Sequence, residues 1–148
     1  MVATSMQSLI KKLAKDYPEI TIEAGDRFQF TPPDYLFYAT DTEYSDLEAQ
    51  LLLLHELGHY LIGETDYSTD IELLEIEAKA WAKAKELCKK YAITYDEDFA
   101  EDRLDSYRNY LHYASLCKNC QLAGYQDDNG NYHCPLCNAN WKHQKIPH

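Results

Sequence analysis

Apolar residues recur with a helical period at the start of the chain. Met6, Leu9, Ile10, Leu13 and Tyr17 stand at i, i+3, i+4, i+7 and i+11, which predicts an amphipathic helix that Pro18 ends. The period then falls to two. Ile20-Thr21-Ile22-Glu23-Ala24 alternates as a half-buried strand, Gly25-Asp26 makes a turn, and Arg27 to Phe30 reads as a second strand. Thr31-Pro32-Pro33-Asp34 breaks the pattern before a third strand, Tyr35 to Thr40. The three are expected to form a small antiparallel sheet. Ser45-Asp46-Leu47-Glu48 is a capping box opening a helix that runs to about Ile62, with Gly63 as its stop. A second box, Thr69-Asp70-Ile71-Glu72, opens a helix from about Asp70 to Tyr91. A fourth helix spans about Asp98 to Leu116, with Ala100, Leu104, Tyr107, Leu111 and Ala114 on one face. After Leu116 the long periods give way to Cys, Gly, Asn and short hairpin-like strands. The pattern implies an α+β chain with a main domain over 1–115 and a small module with a short basic tail over 116–148.

Within the second predicted helix, His55-Glu56-Leu57-Gly58-His59 has the H-E-x-x-H pattern. Residues four apart lie about 40° round a helix axis, so both imidazoles reach one metal ion and Glu56 is held beside it as a general base. From this chain's composition, chance gives roughly 0.02 such matches. The bland alternative is a polar helix with its histidines in solvent. A catalytic zinc normally takes three protein ligands and leaves a fourth position for water, so a third donor is required. Position 65, where a metzincin would carry another His, is Thr65, and no His occurs between 59 and 112. A glutamate from the following helix is the expected donor.

That helix holds Glu72, Glu75, Glu77 and Glu86. On a wheel starting at Leu73, the arc of Leu73, Leu74, Ile76, Ala80, Trp81, Ala84, Leu87, Cys88 and Tyr91 also contains Glu77, at about 40°. Glu75, Glu86 and Glu72 fall at about 200°, 220° and 260°, with the lysines. A lone carboxylate on a buried face is costly unless it is paired or binds a metal. Pairing with a core arginine or tyrosine is the alternative.

The strand Tyr35–Thr40, the run His55-Glu56-Leu57-Gly58-His59-Tyr60 and the run Glu75-Ile76-Glu77-Ala78-Lys79-Ala80-Trp81-Ala82 together resemble the ImmA/IrrE-like metallopeptidases, a gluzincin-type family. The resemblance covers about residues 35–91. It implies a zincin-like fold, His55, His59 and Glu77 as catalytic zinc ligands, Glu56 as the base, and a regulatory protein such as a repressor as substrate. The chain departs from the family at Lys79, where a small polar residue is common, and at Lys85-Glu86-Leu87-Cys88-Lys89, in place of a Leu-Met-Pro-like ending.

Cys117-Lys118-Asn119-Cys120 and Cys134-Pro135-Leu136-Cys137 form paired C-x2-C knuckles around the turn Asp127-Asp128-Asn129-Gly130, the spacing of a structural zinc site in a zinc ribbon. Two matched pairs argue against a redox dithiol. His133 is expected to be a bystander and Cys88 an inert core thiol. Two zinc ions per chain are therefore expected, one catalytic and one structural. A ribbon after an H-E-L-x-H helix is also similar to SprT-like proteases, which act near DNA, although their third ligand is typically a histidine.

Charge narrows the partners. Residues 1–115 carry 11 basic and 23 acidic residues, whereas 116–148 carry 3 and 2. The acidic body opposes non-specific contact with nucleic acid or anionic membrane. Trp141, Lys142, His143 and Lys145 leave a weak nucleic-acid patch open in the tail. The start lacks the basic-then-apolar pattern of a signal peptide, and the longest apolar run, Leu51–Leu54, is far short of a membrane span, so a cytoplasmic protein is expected. An oxyanion donor is open among Tyr60, Tyr107, Tyr110, His112 and Tyr113, and the strand Tyr35–Thr40 is expected to pair with extended substrate along its edge. A metal-stabilised protein-binding module without catalysis is the alternative to a zinc endopeptidase.

Overall fold

The computed structural model describes residues 5–142. Their order is α1 (Met6–Asp16), β1 (Thr21–Gly25), β2 (Gln29–Thr31), β3 (Tyr35–Ala39), α2 (Asp46–Ile62), α3 (Asp70–Tyr91), α4 (Glu97–Ala114), β4 (Tyr125–Gln126), β5 (Tyr132–His133) and β6 (Asn140–Trp141). The chain is thus mixed α+β, with four helices and two small sheets among the described residues.

The first sheet corrects the antiparallel expectation. Its order is β1-β3-β2, with β3 parallel to β1 and antiparallel to β2. Alternation in a sequence marks a strand but not the direction of its neighbour. Here β3, the most apolar of the three, takes the middle and buries Leu36 and Ala39 towards the helices. Both of its edges are therefore paired, and an extended substrate cannot add to it. The edge strands are β1 and β2.

Helix α2 runs through the centre. Every residue from Ala49 to His59 is buried, as expected of a helix with apolar groups all round it. Its four-leucine run packs with Leu9, Leu13, Phe30, Leu36, Trp81 and Leu104 in the main core. The ends are set by local chemistry. Glu48 N–H donates to the Ser45 hydroxyl at 3.1 Å, and Ser45 N–H donates back to the Glu48 carboxylate at 3.0 Å. Gly63 closes the helix at φ 71°, a left-handed conformation that suits glycine. The second expected box is only half formed: Glu72 N–H donates to Thr69, but the Glu72 carboxylate accepts from Ser68 N–H, one residue beyond the cap.

The cysteine-bearing lobe forms an antiparallel sheet, β4-β5-β6, seated against the start of α3 and the end of α4. Asp70 N–H donates to Gln126 Oε1 at 2.8 Å, and the Tyr132 hydroxyl donates to the Asp70 carboxylate. Trp141 stacks on Tyr132, and its indole N–H donates to the Ala114 carbonyl at 2.8 Å. Trp141 is thereby committed to packing inside the molecule. Lys142 is exposed, while His143 and Lys145 of the expected basic patch lie outside the described residues. No helix among the described residues is long and apolar enough to cross a membrane.

The α2–α3 contact depends on Gly58. A Cβ built there would stand 2.5 Å from the Ala80 carbonyl oxygen, which is backbone and cannot swing away. Gly58→Ala must push the helices apart, and overpacking of this kind costs about 1–3 kcal/mol. Urea unfolding of the variant should show that loss. An unchanged midpoint would show that the helices have slack at this point.

Candidate metal centres

Helix α2 presents His55, Glu56 and His59 on successive turns, and α3 presents Glu77 one turn before Ala80, where the two helices are closest. All four are enclosed: His55 is 5% exposed, Glu56 4%, His59 1% and Glu77 0%. Glu75 is exposed, so α3 is rotated as the helical wheel requires. One Glu77 oxygen lies 3.3 Å from His55 Nε2 and the other 2.8 Å from His59 Nε2. Donor atoms of His55, His59 and Glu77 all lie within 4.8 Å of one another. A four-coordinate ion with bonds of about 2.1 Å holds neighbouring donors about 3.4 Å apart, so two imidazoles and a carboxylate at these spacings fit a metal ion.

Electrostatics point the same way. Burial works to lower the pKa of His55, but the Glu56 and Glu77 carboxylates outweigh it and carry the group up to about 9. The pocket between the helices therefore favours positive charge. Glu56 is not one of the converging donors. Phe30 N–H, on the free edge of β2, donates to Glu56 Oε2 at 3.0 Å, while Oε1 stands 3.6 Å from His55 Nδ1. One oxygen is thus fixed by backbone and the other is directed along the wall of the site.

Two supporting groups, the Phe30 amide and the Trp81 ring, have no signature in the sequence pattern, whereas Tyr107 is one of the expected oxyanion candidates. Phe30 matters through its backbone, which residue identity does not reveal. Trp81 lies parallel to His55 with ring centroids 4.4 Å apart and orients the imidazole. The spacing placed Trp81 only on an apolar face. Tyr107 comes from α4 to line the cleft beside His55 and Glu56. Burial, the negative charges of Glu77 and Glu56 and a hydrogen bond to the Glu77 carboxylate push its phenol far above the ordinary range, so it stays protonated and donates to Glu77, the tyrosine partner that the alternative reading of this glutamate expects. Of the other oxyanion candidates, Tyr60 donates to Glu19, Tyr110 and Tyr113 are exposed, and His112 faces solvent beside Tyr113. Lys79 also lies on the surface, paired with Glu64 at 3.1 Å.

The cleft has a volume of about 400 Å³ and runs between β2, α2 and α4. Glu56 and His55 line it, while His59 and Glu77 stay enclosed behind them.

In the C-terminal lobe, Cys117, Cys120, Cys134 and Cys137 converge. Cys117 Sγ and Cys137 Sγ are 3.6 Å apart. A disulfide would need about 2.05 Å, whereas thiolates around one tetrahedral ion at about 2.3 Å per bond stand about 3.8 Å apart. This second set therefore also suits a metal ion. His133 is turned to Asp127 at 2.9 Å and takes no part in the cluster. Cys88 is buried in α3, where burial pushes its thiol up to about 11.

No family model, curated protein or solved structure matches the chain.

Metal counted per chain tests the assignment of α3. Glu77→Ala should lose one ion and keep the ion of the cysteine cluster. Glu75→Ala should keep both, with stability changed by no more than about 0.5 kcal/mol. The reverse result would mean that α3 presents a different face.

Proposed function

We propose that the protein is a zinc-dependent endopeptidase of the zincin class, akin to the ImmA/IrrE-like metallopeptidases, with a zinc ribbon as its C-terminal lobe. The observation that carries this reading is the position of Glu56. It stands beside the His55, His59 and Glu77 donors without joining them, with one oxygen held by the Phe30 amide and the other 3.6 Å from His55 Nδ1 on the wall of the cleft, where it can handle a proton. A purely structural metal site has no use for a buried carboxylate so placed. Zinc suits both donor sets: two imidazoles with a carboxylate for a site open to water, and four thiolates for a closed one. Two zinc ions per chain follow.

When bound, zinc acts as a Lewis acid that lowers the pKa of water towards ~7 and polarises a carbonyl. The chain supplies the rest. Glu56 Oε1 takes the proton of the attacking water and passes it to the departing amine. Tyr107, kept protonated by its surroundings, donates to the oxygen on which negative charge develops. Trp81 holds the plane of His55 throughout. Extended substrate lies along β2, the sheet edge that faces the cleft, in place of the central β3. The substrate is a protein, and the family resemblance favours a regulator such as a repressor. The SprT-like alternative is weaker because the third converging donor is Glu77 and not a histidine.

Two substitutions test the chemistry. Glu56→Gln should keep both metals and the fold while proteolysis falls by at least ~10², the scale for losing a general acid–base group. Tyr107→Phe should also keep both metals and lower kcat by ~10² with little change in KM, as for loss of an oxyanion donor. Metal binding with no cleavage in the unaltered chain, across protein and peptide substrates, would instead favour the non-catalytic binding module.

A further inference from the structure

The wall of the cleft opposite His55 and Glu56 carries Arg103, which the peptidase chemistry does not use. Helix α4 offers five carboxylates, at Glu97, Asp98, Glu101, Asp102 and Asp105. Arg108 takes two of them, Glu101 at 3.0 Å and Asp105 at 2.8 Å, and Lys85 takes Glu97. Arg103 makes no ion pair among the described residues. Its Nη1 donates to the Tyr44 hydroxyl at 3.1 Å, and the guanidinium lies 6.0 Å from the centre of the same ring. Tyr44 is itself wedged edge-on between Phe28 and Phe99, so the platform beneath the cation is held in place. A guanidinium has five N–H donors in a rigid fork, and most of these remain for a ligand.

The surroundings decide what that ligand is. The chain carries a net charge of −11, so a cation kept away from its own acids is a local exception. The other cation lining the cleft, Arg27, lies 3.9 Å from Asp26 and is largely exposed. One uncommitted guanidinium balances one negative charge, which suits a carboxylate. A phosphate dianion would need a second cation. Arg103 also stands one turn before Tyr107, on the face of α4 turned to the cleft, so a group bound by Arg103 shares that cleft with His55 and Glu56.

We propose that Arg103 is a specificity residue that receives a substrate carboxylate, so that the protein selects peptides with an acidic group close to the scissile bond. The carboxylate is either an Asp or Glu side chain or the C-terminus of the substrate. The inference rests on the peptidase reading of the adjoining metal centre.

The test uses the full zinc-loaded chain and hydroxamate-capped tripeptides, with affinities measured by calorimetry. One set moves an aspartate or glutamate through the three positions with the C-terminus amidated. A second carries only neutral side chains and a free C-terminal carboxylate, and a third is neutral and amidated. At least one carboxylate-bearing peptide should bind about tenfold or more tightly than its neutral counterpart, the scale of one charge-assisted contact. Which set gains identifies the source of the carboxylate. In Arg103→Gln that ratio should fall to about one, and in Arg103→Glu the preference should pass to lysine-bearing peptides. Circular dichroism and zinc content confirm that each variant is folded. Equal binding of all three sets, or a preference that survives Arg103→Gln, would overturn the role of Arg103 and leave the metal centre standing. Failure of every hydroxamate to bind would overturn the peptidase reading and this inference with it.

Discussion

The Glu77 carboxylate is enclosed between α2 and α3 with no exposure to water, and burying such a charge alone costs several kcal/mol. That cost organises the core around it. His55 and His59 must stand one helical turn apart and face it, which fixes the rotation of α2. The helices must also approach closely enough for a short side chain to reach both imidazoles. Gly58 and Ala80 provide that approach, since no larger residue at 58 leaves room for the α3 backbone. The surrounding leucines of α2 exclude water, which strengthens every charge interaction inside the site. Packing and chemistry are thus two consequences of one helix contact.

The second metal-ready lobe acts on the same helix from its other end. Gln126 and Tyr132 both engage Asp70, in the first turn of α3, and a Cβ at Gly130 would collide with the Ser68 carbonyl just before it. Asp70 lies about two turns from Glu77 along a single helix. The lobe that gathers the four cysteines thus grips the start of α3 through its β4-β5-β6 sheet. A lobe without catalytic groups of its own therefore helps set the position of a residue in the cleft region.

Much of this arrangement was legible in the sequence because it rests on strong periodicities. The wheel that separates Glu77 from Glu75 works because α3 has a well-defined apolar arc, and burial follows it at every position but Leu74, at the margin of the arc, which is half-buried. The capping box at Ser45 and the stop at Gly63 bound α2 as local chemistry requires. What escaped depends on partners distant in the chain. Strand direction within β1-β3-β2 is settled by which strand buries most apolar surface, not by any one strand's alternation. The Phe30 amide meets Glu56 across 26 positions, and no side-chain pattern marks a backbone donor. Arg103 sits on a helix so polar that it looks like one more solvated residue, whereas Tyr107 falls on the apolar face that the spacing marks.

The two walls of the cleft are consequently under different constraints. The α2–α3 wall is close-packed, and its His55, His59 and Glu77 donors leave almost no freedom of substitution without loss of the ion or of the helix contact. The α4 wall meets the cleft through two long side chains, Arg103 and Tyr107, one turn apart on a helix whose core contact is made by Ala100, Leu104 and Leu111. Tyr107 also packs against the cluster of Leu73, Ile76 and Leu111, whereas Arg103 can change without disturbing Ala100, Leu104 or Leu111. On the proposed reading, the reaction chemistry belongs to the close-packed α2–α3 contact, while Arg103 stands on a face that can vary without disturbing it. The positions of the three converging donors are thus specified by helix packing, and much of the remaining cleft lining is not.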